Sequence, residues 1–334
     1  MRIGLLTSVG RTLDAFFVEM VADWTARGHE VRCAAGTPPA ADLAFDLIPG
    51  LGQRPSLSSA LVPARIRSWV KDQRIDVLVT NTATASTLAR VVPLPCKVVY
   101  FCHGLHWNAG WHPARPIEHV LAKRCDAIFT INSDDYAWLR RRHPDVRLLR
   151  HGVGVPDGRY LWSPLPVSDR LELVWAGDFV PRKRPLEAVR VTQQLVAAGV
   201  DLRLVMIGDG ELWDETVRLV EETGLQGTVE TPGRGPVEEA VQGAHALLHT
   251  AAWEGLPRIL LEGLVMGRRA FAYDVKGVRD VPHAVLAPEG DTAGLARLVD
   301  TGRPVSVIDA DEVGDFRTSK VSAEIIGHLE QIVG

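Results

Sequence analysis

Two glutamates with seven residues between them, Glu254 and Glu262, stand in the run Trp253-Glu-Gly-Leu-Pro-Arg-Ile-Leu-Leu-Glu-Gly-Leu-Val-Met-Gly267. A short apolar run, Ala246–Ala251, precedes it and reads as a buried strand. Pro257 sits where a helix would begin, a position that tolerates its missing N–H. The helix from Pro257 to about Val265 is apolar on nearly every side, so it is expected inside a layered protein. Glu262 lies among Ile259, Leu260, Leu261 and Leu264, and its carboxylate is costly to bury unless something donates hydrogen bonds to it. Glu254 lies on the preceding loop. There the free N–H groups around Gly255 and Leu256, and the positive end of the helix dipole at Gly255–Pro257, favour an anionic ligand. Two carboxylates for hydroxyls and one loop for phosphate suit a polyol phosphate. A plain core helix whose Glu262 reaches a neighbouring arginine is the alternative.

A second candidate is cationic. Gly177-Asp-Phe-Val-Pro-Arg-Lys-Arg184 follows an apolar run and leads into a helix. Arg182, Lys183 and Arg184 beside a helix start could hold a diphosphate; a solvated loop is the alternative, and the location at a strand's carboxyl end favours the ligand. Ile207-Gly-Asp-Gly-Glu211 ends another apolar run, and Gly208 and Gly210 would let backbone approach a ligand. In the first half, Tyr100-Phe-Cys-His-Gly-Leu-His-Trp107 closes a buried strand. His103 and His106, with Trp107 and Trp111 after them, read as pocket lining at a strand's carboxyl end. No third ligand lies near the two histidines, so a zinc site is not expected. Gly10, in the first strand-to-helix loop, is explained as well by a tight turn as by a ligand.

These residues need strands and helices to hold them. Strands are predicted at 2–7, 29–35, 77–80, 97–102 and 127–131, with helices at 13–27, 57–71, 84–92, 116–124 and 134–142. The second half repeats the alternation. Its strands are expected at 171–176, 202–207, 228–231, 246–251 and 270–274, with helices at 186–198, 212–223, 237–243, 257–265 and 292–300. Alternating β and α elements build parallel sheets. The expected domains are 1–150, a Gly- and Pro-rich linker over 151–169, and 170–334, whose last helix can pack back on the first domain. The 334 residues, 46% hydrophobic and 23% charged, suit two soluble domains. No apolar run approaches the ~18 residues of a membrane-spanning helix, and the N-terminus is too short of apolar residues for a signal peptide. Cys33, Cys96, Cys102 and Cys125 lack metal spacing and read as reduced core residues of a cytoplasmic protein. The net charge of −4 divides into +6 over residues 1–150 and −10 over the rest. The basic half points to an anionic surface or ligand, or merely to solvated faces. Segment 57–71, with its basic edge, could rest peripherally on an anionic membrane, although Pro63 opposes one unbroken helix.

The Glu-x7-Glu run resembles the signature of the retaining family 4 glycosyltransferases. The run from His103-Gly-Leu-His106 through Pro116-Ile-Glu118 to Thr130-Ile-Asn132 and Asp135-Tyr136 resembles their exopolysaccharide and capsule members. The resemblance implies an α/β GT-B fold, two tandem Rossmann-like domains whose parallel sheets face a central cleft. It implies transfer from a nucleoside-diphosphate sugar, expected to be a UDP-sugar, to a saccharide or lipid-linked acceptor, with no cofactor, metal or nucleic acid. Glu262 would bind the ribose, and Glu254 with Gly255, Leu256 and Pro257 the donor sugar. His103 would bond that sugar near the reacting carbon, and His106, Trp107 and Trp111 would face the acceptor. Gly233 and Arg234 would lie against the base, and the loop 274–280, with Gly277, near the sugar and phosphates. In the family pattern Gly-Arg-x-x-x-x-Lys-Gly, Lys183 matches the lysine, Asp178 replaces the arginine and Arg184 the last glycine; Arg182 is the candidate replacement cation. An epimerase or phosphorylase on the same fold, a silent subunit, and a natural-product aglycone as acceptor are the alternatives. Asp309-Ala-Asp311 reads as surface.

Overall fold

The computed structural model describes residues 1–334 apart from 55, 56, 106, 108–111, 113 and 304. It divides into two compact units, Met1–Gly154 with Thr318–Gly334, and Val155–Arg317. The first unit therefore runs four residues past the sequence-expected boundary at 150. Residues 155–169, expected as linker, lie in the second unit.

The first unit alternates β1 (Arg2–Leu6), α1 (Gly10–Phe16), α2 (Val18–Ala26), β2 (Glu30–Ala35), β3 (Phe45–Leu47), α3 (Val62–Asp72) and β4 (Val77–Asn81). It continues through α4 (Ala83–Arg90), β5 (Lys97–Cys102), α5 (Ala114–Leu121), β6 (Ala127–Thr130), α6 (Ser133–Arg140) and β7 (Val146–Leu148). All seven strands are parallel, in the order β3-β2-β1-β4-β5-β6-β7. Both faces of the sheet are covered, and β4 is buried at every position, as the near-continuous apolar strands require.

Two predicted helices differ. The helix expected over 13–27 is broken at Phe17, whose φ of −125° and ψ of −7° leave helical geometry between α1 and α2. The helix expected over 57–71 opens as a 3-10 turn, Leu57–Leu61, and α3 follows with Pro63 in its first turn. There proline's missing N–H leaves no helical bond unmade.

The second unit holds β8 (Leu171–Ala176), α7 (Pro185–Ala197), β9 (Leu202–Ile207), α8 (Trp213–Glu222), β10 (Val229–Gly233), α9 (Val237–Gln242) and β11 (Ala246–His249). Then come α10 (Arg258–Val265), β12 (Arg269–Tyr273), β13 (Val285–Ala287) and α11 (Thr292–Thr301). Its six parallel strands run β10-β9-β8-β11-β12-β13. Counted within its own unit, each sheet begins in the order three-two-one-four-five-six, so each reverses direction between its first and fourth strands. Ligands of open α/β sheets bind at such a switch point, outside the carboxyl ends of the strands. The last helix, α12 (Thr318–Val333), belongs to the first unit and lies against α2. Trp24 Nε1 donates to Ser322 O at 3.4 Å, and Ser322 Oγ donates to Asp23 at 2.5 Å.

Candidate functional site

In the second unit the switch point falls between β8 and β11. The loop after β8 carries Arg182 and Lys183, and the loop after β11 carries Glu254. Two hydrogen-bonded connections hold these loops together across the sheet. Thr250 Oγ1 accepts from Trp175 Nε1 at 3.0 Å and lies 3.0 and 2.9 Å from the Lys183 and Arg184 carbonyls, which share its proton. Ala252 N donates to Arg182 O at 2.8 Å. Arg184 adopts a left-handed φ of 50° just before α7, turning the cation loop back toward β11.

The result is a convergence that sequence distance hides. Arg182 Nη1 donates to Glu254 Oε2 at 2.6 Å and to the Trp253 carbonyl at 3.2 Å, while Lys183 Nζ donates to Glu254 Oε1. His249 Nε2 stands 3.5 Å from the same Oε1. Arg182 and Lys276 both approach the Trp253 ring, at 5.1 and 5.8 Å, a cation–π arrangement. Glu254 is 7% exposed. Burial alone would raise its pKa. The nearby imidazole of His249 and the charges of Lys183 and Arg182 outweigh that and hold the carboxyl well below the usual range. His249 is pushed down by burial, against the pull of Glu254, so its ring is neutral at pH 7.

Glu262 behaves oppositely. Leu260 through Val265 are all buried, so α10 has the all-round apolar environment its sequence predicts. Burial raises the Glu262 pKa, with Arg258, one turn earlier at 3.2 Å, opposing it. The alternative of a core glutamate reaching a neighbouring arginine is therefore realised as a contact. The charge of Arg159 also acts there, and Glu262 in turn helps burial push the Tyr160 phenol up. Glu238 holds this pair, accepting from Tyr160 N at 2.7 Å and Arg159 Nε at 3.2 Å.

The remaining loops lie at neighbouring strand ends. After β9, Gly208 (φ 146°) and Gly210 (φ 156°) pass so close to the cation loop that a Cβ would sit 1.9 Å from Gly177 O and 2.6 Å from Phe179 O. At the end of β10, Gly233 O accepts from Gly208 N at 3.0 Å, and exposed Arg234 just after it lies 3.4 Å from Asp209. After β12, Lys276 O accepts from Glu254 N at 2.9 Å. Gly277 (φ 76°) leaves no room for a side chain, since its Cβ would meet Glu254 O and Gly255 O at 2.5 Å. Leu256 is buried, and Pro257 caps α10 from extended backbone. Asp178 is exposed.

In the first unit His103 meets Phe101 (4.5 Å) and Phe16 (5.3 Å) edge-to-face and lies tilted against Phe17 (6.0 Å), just after β5. Gly10 N donates to Thr37 at 3.0 Å, and its missing Cβ makes room for the Pro38 carbonyl, 2.2 Å from where that atom would be. Trp107 is buried against Trp138 and stacked on His112. His106 and Trp111 lie outside the described residues. His249, Thr250 and Trp253 were not singled out in the sequence. A histidine inside the apolar run 246–251 was the available signal. Among the described residues no group of three or more His, Cys, Asp or Glu is placed to hold a metal ion, and no helix is long and apolar enough to cross a membrane.

Two family models match this chain: Glycosyltransferase Family 4 over residues 15–155, and Glycosyl transferases group 1 over residues 161–297. A protein of Escherichia coli (strain K12) assigned to colanic acid biosynthesis as the glycosyltransferase WcaL is 24% identical over 296 residues, covering 78% of this chain and 71% of that one. Among solved structures, Anabaena Alr3699/HepE in complex with UDP superposes with a TM-score of 0.81 at 16% identity, covering 99% of this chain and 100% of that one. The apo lipopolysaccharide outer core galactosyltransferase WaaB superposes with a TM-score of 0.76 at 15% identity, covering 99% of each chain. At these identities the structures show a shared fold.

Proposed function

We propose that this chain, which belongs to the family 4 glycosyltransferases of the GT-B fold, moves a sugar from a nucleoside-diphosphate sugar to a saccharide or lipid-linked acceptor in polysaccharide biosynthesis, with retention at the anomeric carbon. The observation that carries the reading is the meeting of Lys183 and Arg182 on the buried Glu254 at the β8/β11 switch point. Two cations held on a buried carboxylate are a preformed anion site, and a diphosphate fits their charge and spacing. UDP is the proposed diphosphate, because the fold neighbour Alr3699/HepE was crystallised with UDP and with UDP-glucose.

In this reading the bond from the anomeric carbon to the diphosphate oxygen breaks while the acceptor hydroxyl bonds that carbon on the same face. The acceptor's proton passes to the departing phosphate. Lys183 and Arg182 stabilise the charge that develops on the leaving group, in place before the reaction begins. Glu254, with the loop Gly255–Pro257, orients the sugar hydroxyls, His103 is proposed to help near the reacting carbon, and Glu262 takes the ribose. Gly208, Gly210, Gly233 and Arg234 line the nucleotide, and Trp107 lies toward the acceptor. No step requires a metal, so EDTA should leave turnover unchanged.

A silent subunit is the second reading, favoured by exposed Asp178 where the family pattern has arginine. Arg182 answers it, since it supplies a cation on the same carboxylate. Thermal denaturation with UDP, GDP, dTDP and ADP separates the two. A nucleotide at 100 times its dissociation constant should add about 2.7 kcal/mol. A shift with one of them supports the donor site, and Lys183→Ala or Glu254→Ala should then lose transfer while folding normally. Absence of any shift favours the silent subunit. Peripheral membrane contact is proposed through exposed Leu57 and Leu61 beside exposed Arg67 and Lys71. Sedimentation with vesicles of anionic and of neutral lipid tests it, and equal recovery with both would remove it.

A further inference from the structure

We propose that His249 is a positioning residue for Glu254: when a diphosphate draws Lys183 away, the His249 Nε2–H takes its place on Oε1 and holds the carboxylate toward the sugar. This rests on the reading of Lys183 and Arg182 as diphosphate ligands.

Three observations lead to it. His249 is the last residue of β11 and is only 3% exposed, in a strand whose other positions are buried and apolar. An apolar side chain would fill that position, so the polar ring needs another reason. Its Nε2 is buried without a hydrogen-bond partner, an arrangement that folded proteins avoid. It faces Glu254 Oε1 at 3.5 Å, about half an ångström beyond an ordinary N–H···O bond.

The neighbouring charges explain the gap. In the free protein Oε1 is taken by Lys183 and Oε2 by Arg182. A diphosphate carries more charge than one carboxylate and competes for both cations. Once they turn to it, Glu254 is left buried with its acceptors unfilled, which is costly. A small approach by the imidazole, with its proton on Nε2, refills Oε1. Burial, helped by Lys183 and Arg182, keeps the ring neutral, so it donates one hydrogen bond without cancelling the carboxylate's charge. The nitrogen without a partner in the free protein is thus the partner reserved for the bound state.

The test compares His249→Leu and His249→Gln with the wild type. Binding of UDP, GDP, ADP and dTDP is measured by calorimetry. Turnover is followed as nucleotide release from the four matching glucose conjugates, and melting curves monitor folding. For whichever nucleotide binds, His249→Leu should hold it within about threefold of wild type yet lower turnover about tenfold or more, because the lost contact belongs to the sugar-orienting carboxylate. His249→Gln, which restores an N–H, should recover most of that turnover. In the wild type, nitrogen NMR should show the His249 Nε2–H becoming hydrogen-bonded on nucleotide binding, a readout that needs no variant to fold. Wild-type turnover in His249→Leu, equal losses in both variants, or an unchanged Nε2 resonance would overturn the proposal while leaving the donor site standing. If the wild type binds none of the four nucleotides, the donor-site reading fails and this proposal falls with it.

Discussion

Glu254 and Glu262 are both carboxylates near 7% exposure, yet their surroundings push them in opposite directions. Glu254 has a depressed folded-state pKa, so its ionised form contributes stability above the ordinary value of 4.5, and that contribution is lost as pH falls. It also neutralises the cations in the free protein. Glu254→Gln should therefore leave nucleoside-diphosphate affinity equal or several-fold tighter, while sugar transfer falls by ~100-fold or more. Calorimetry beside turnover decides it, and a large loss of nucleotide affinity would count against the cation pair as the diphosphate site. Glu262 has a raised folded-state pKa, so its contribution is present when protonated below 4.5 and lost as pH rises through the folded value. At neutral pH its ionisation costs stability. Glu262→Gln should melt no lower than wild type at pH 7, and its melting point should vary less between pH 5 and 7; a clear drop would show that the Arg258 contact dominates. The apolar surroundings of Glu262 were legible in the sequence, whereas those of Glu254 were not. Lys183 and Glu254 are 71 positions apart, and only the fold sets who meets a carboxylate.

Strands and helices set those meetings, and here the sequence was more informative. The runs Leu171–Ala176, Leu202–Ile207 and Lys97–Cys102 have the boundaries expected from their predominantly apolar character, each with one charged residue. The strands β3, β7 and β13 were not anticipated. Each has three residues, too few to establish a periodicity. The loops were legible as glycines but not as contacts. Gly277 illustrates the difference, because its left-handed φ of 76° and the 2.5 Å approach of its missing Cβ to Glu254 O appear only in three dimensions. Gly277→Ala must strain the backbone and push the Glu254 loop aside, at a cost of about 1–3 kcal/mol. A lower melting point with at least a tenfold loss of donor turnover is the expected outcome. Gly224→Ala, also at positive φ (69°) but with open space around its Cβ, is the control and should lose stability alone. If both variants kept full turnover, the 274–280 loop would have no part in shaping the site.

At the scale of the whole molecule, the order of the chain and the order of the units differ. The sequence reading placed residues 170–334 in the second domain, with a last helix able to pack back; Thr318–Gly334, which hold α12, are counted with the first unit. Its periodicity was not assigned beforehand, because a helix that begins after a long irregular stretch gives no sign of which sheet it will cover. The packing gives the sign instead. Val321, Ile325, Ile326 and Leu329 are each 4% exposed or less, and Ser322 ties the helix to Trp24 and Asp23 on α2. Fully burying a side chain of this kind contributes about 1.5–3 kcal/mol, while an ordinary domain is stable by only about 5–15 kcal/mol. Removing residues 318–334 should therefore destabilise the unit built from residues 1–154, although the cut lies next to the other one in sequence. Calorimetry of the full chain and the truncated chain, each with a saturating nucleotide that binds the second unit, tests this. The transition that responds to nucleotide should persist, and the other should move down by ten degrees or more or disappear, since one kcal/mol shifts a domain of this size by roughly 2–4 °C. Loss of the nucleotide-responsive transition instead would mean that α12 stabilises the unit it follows.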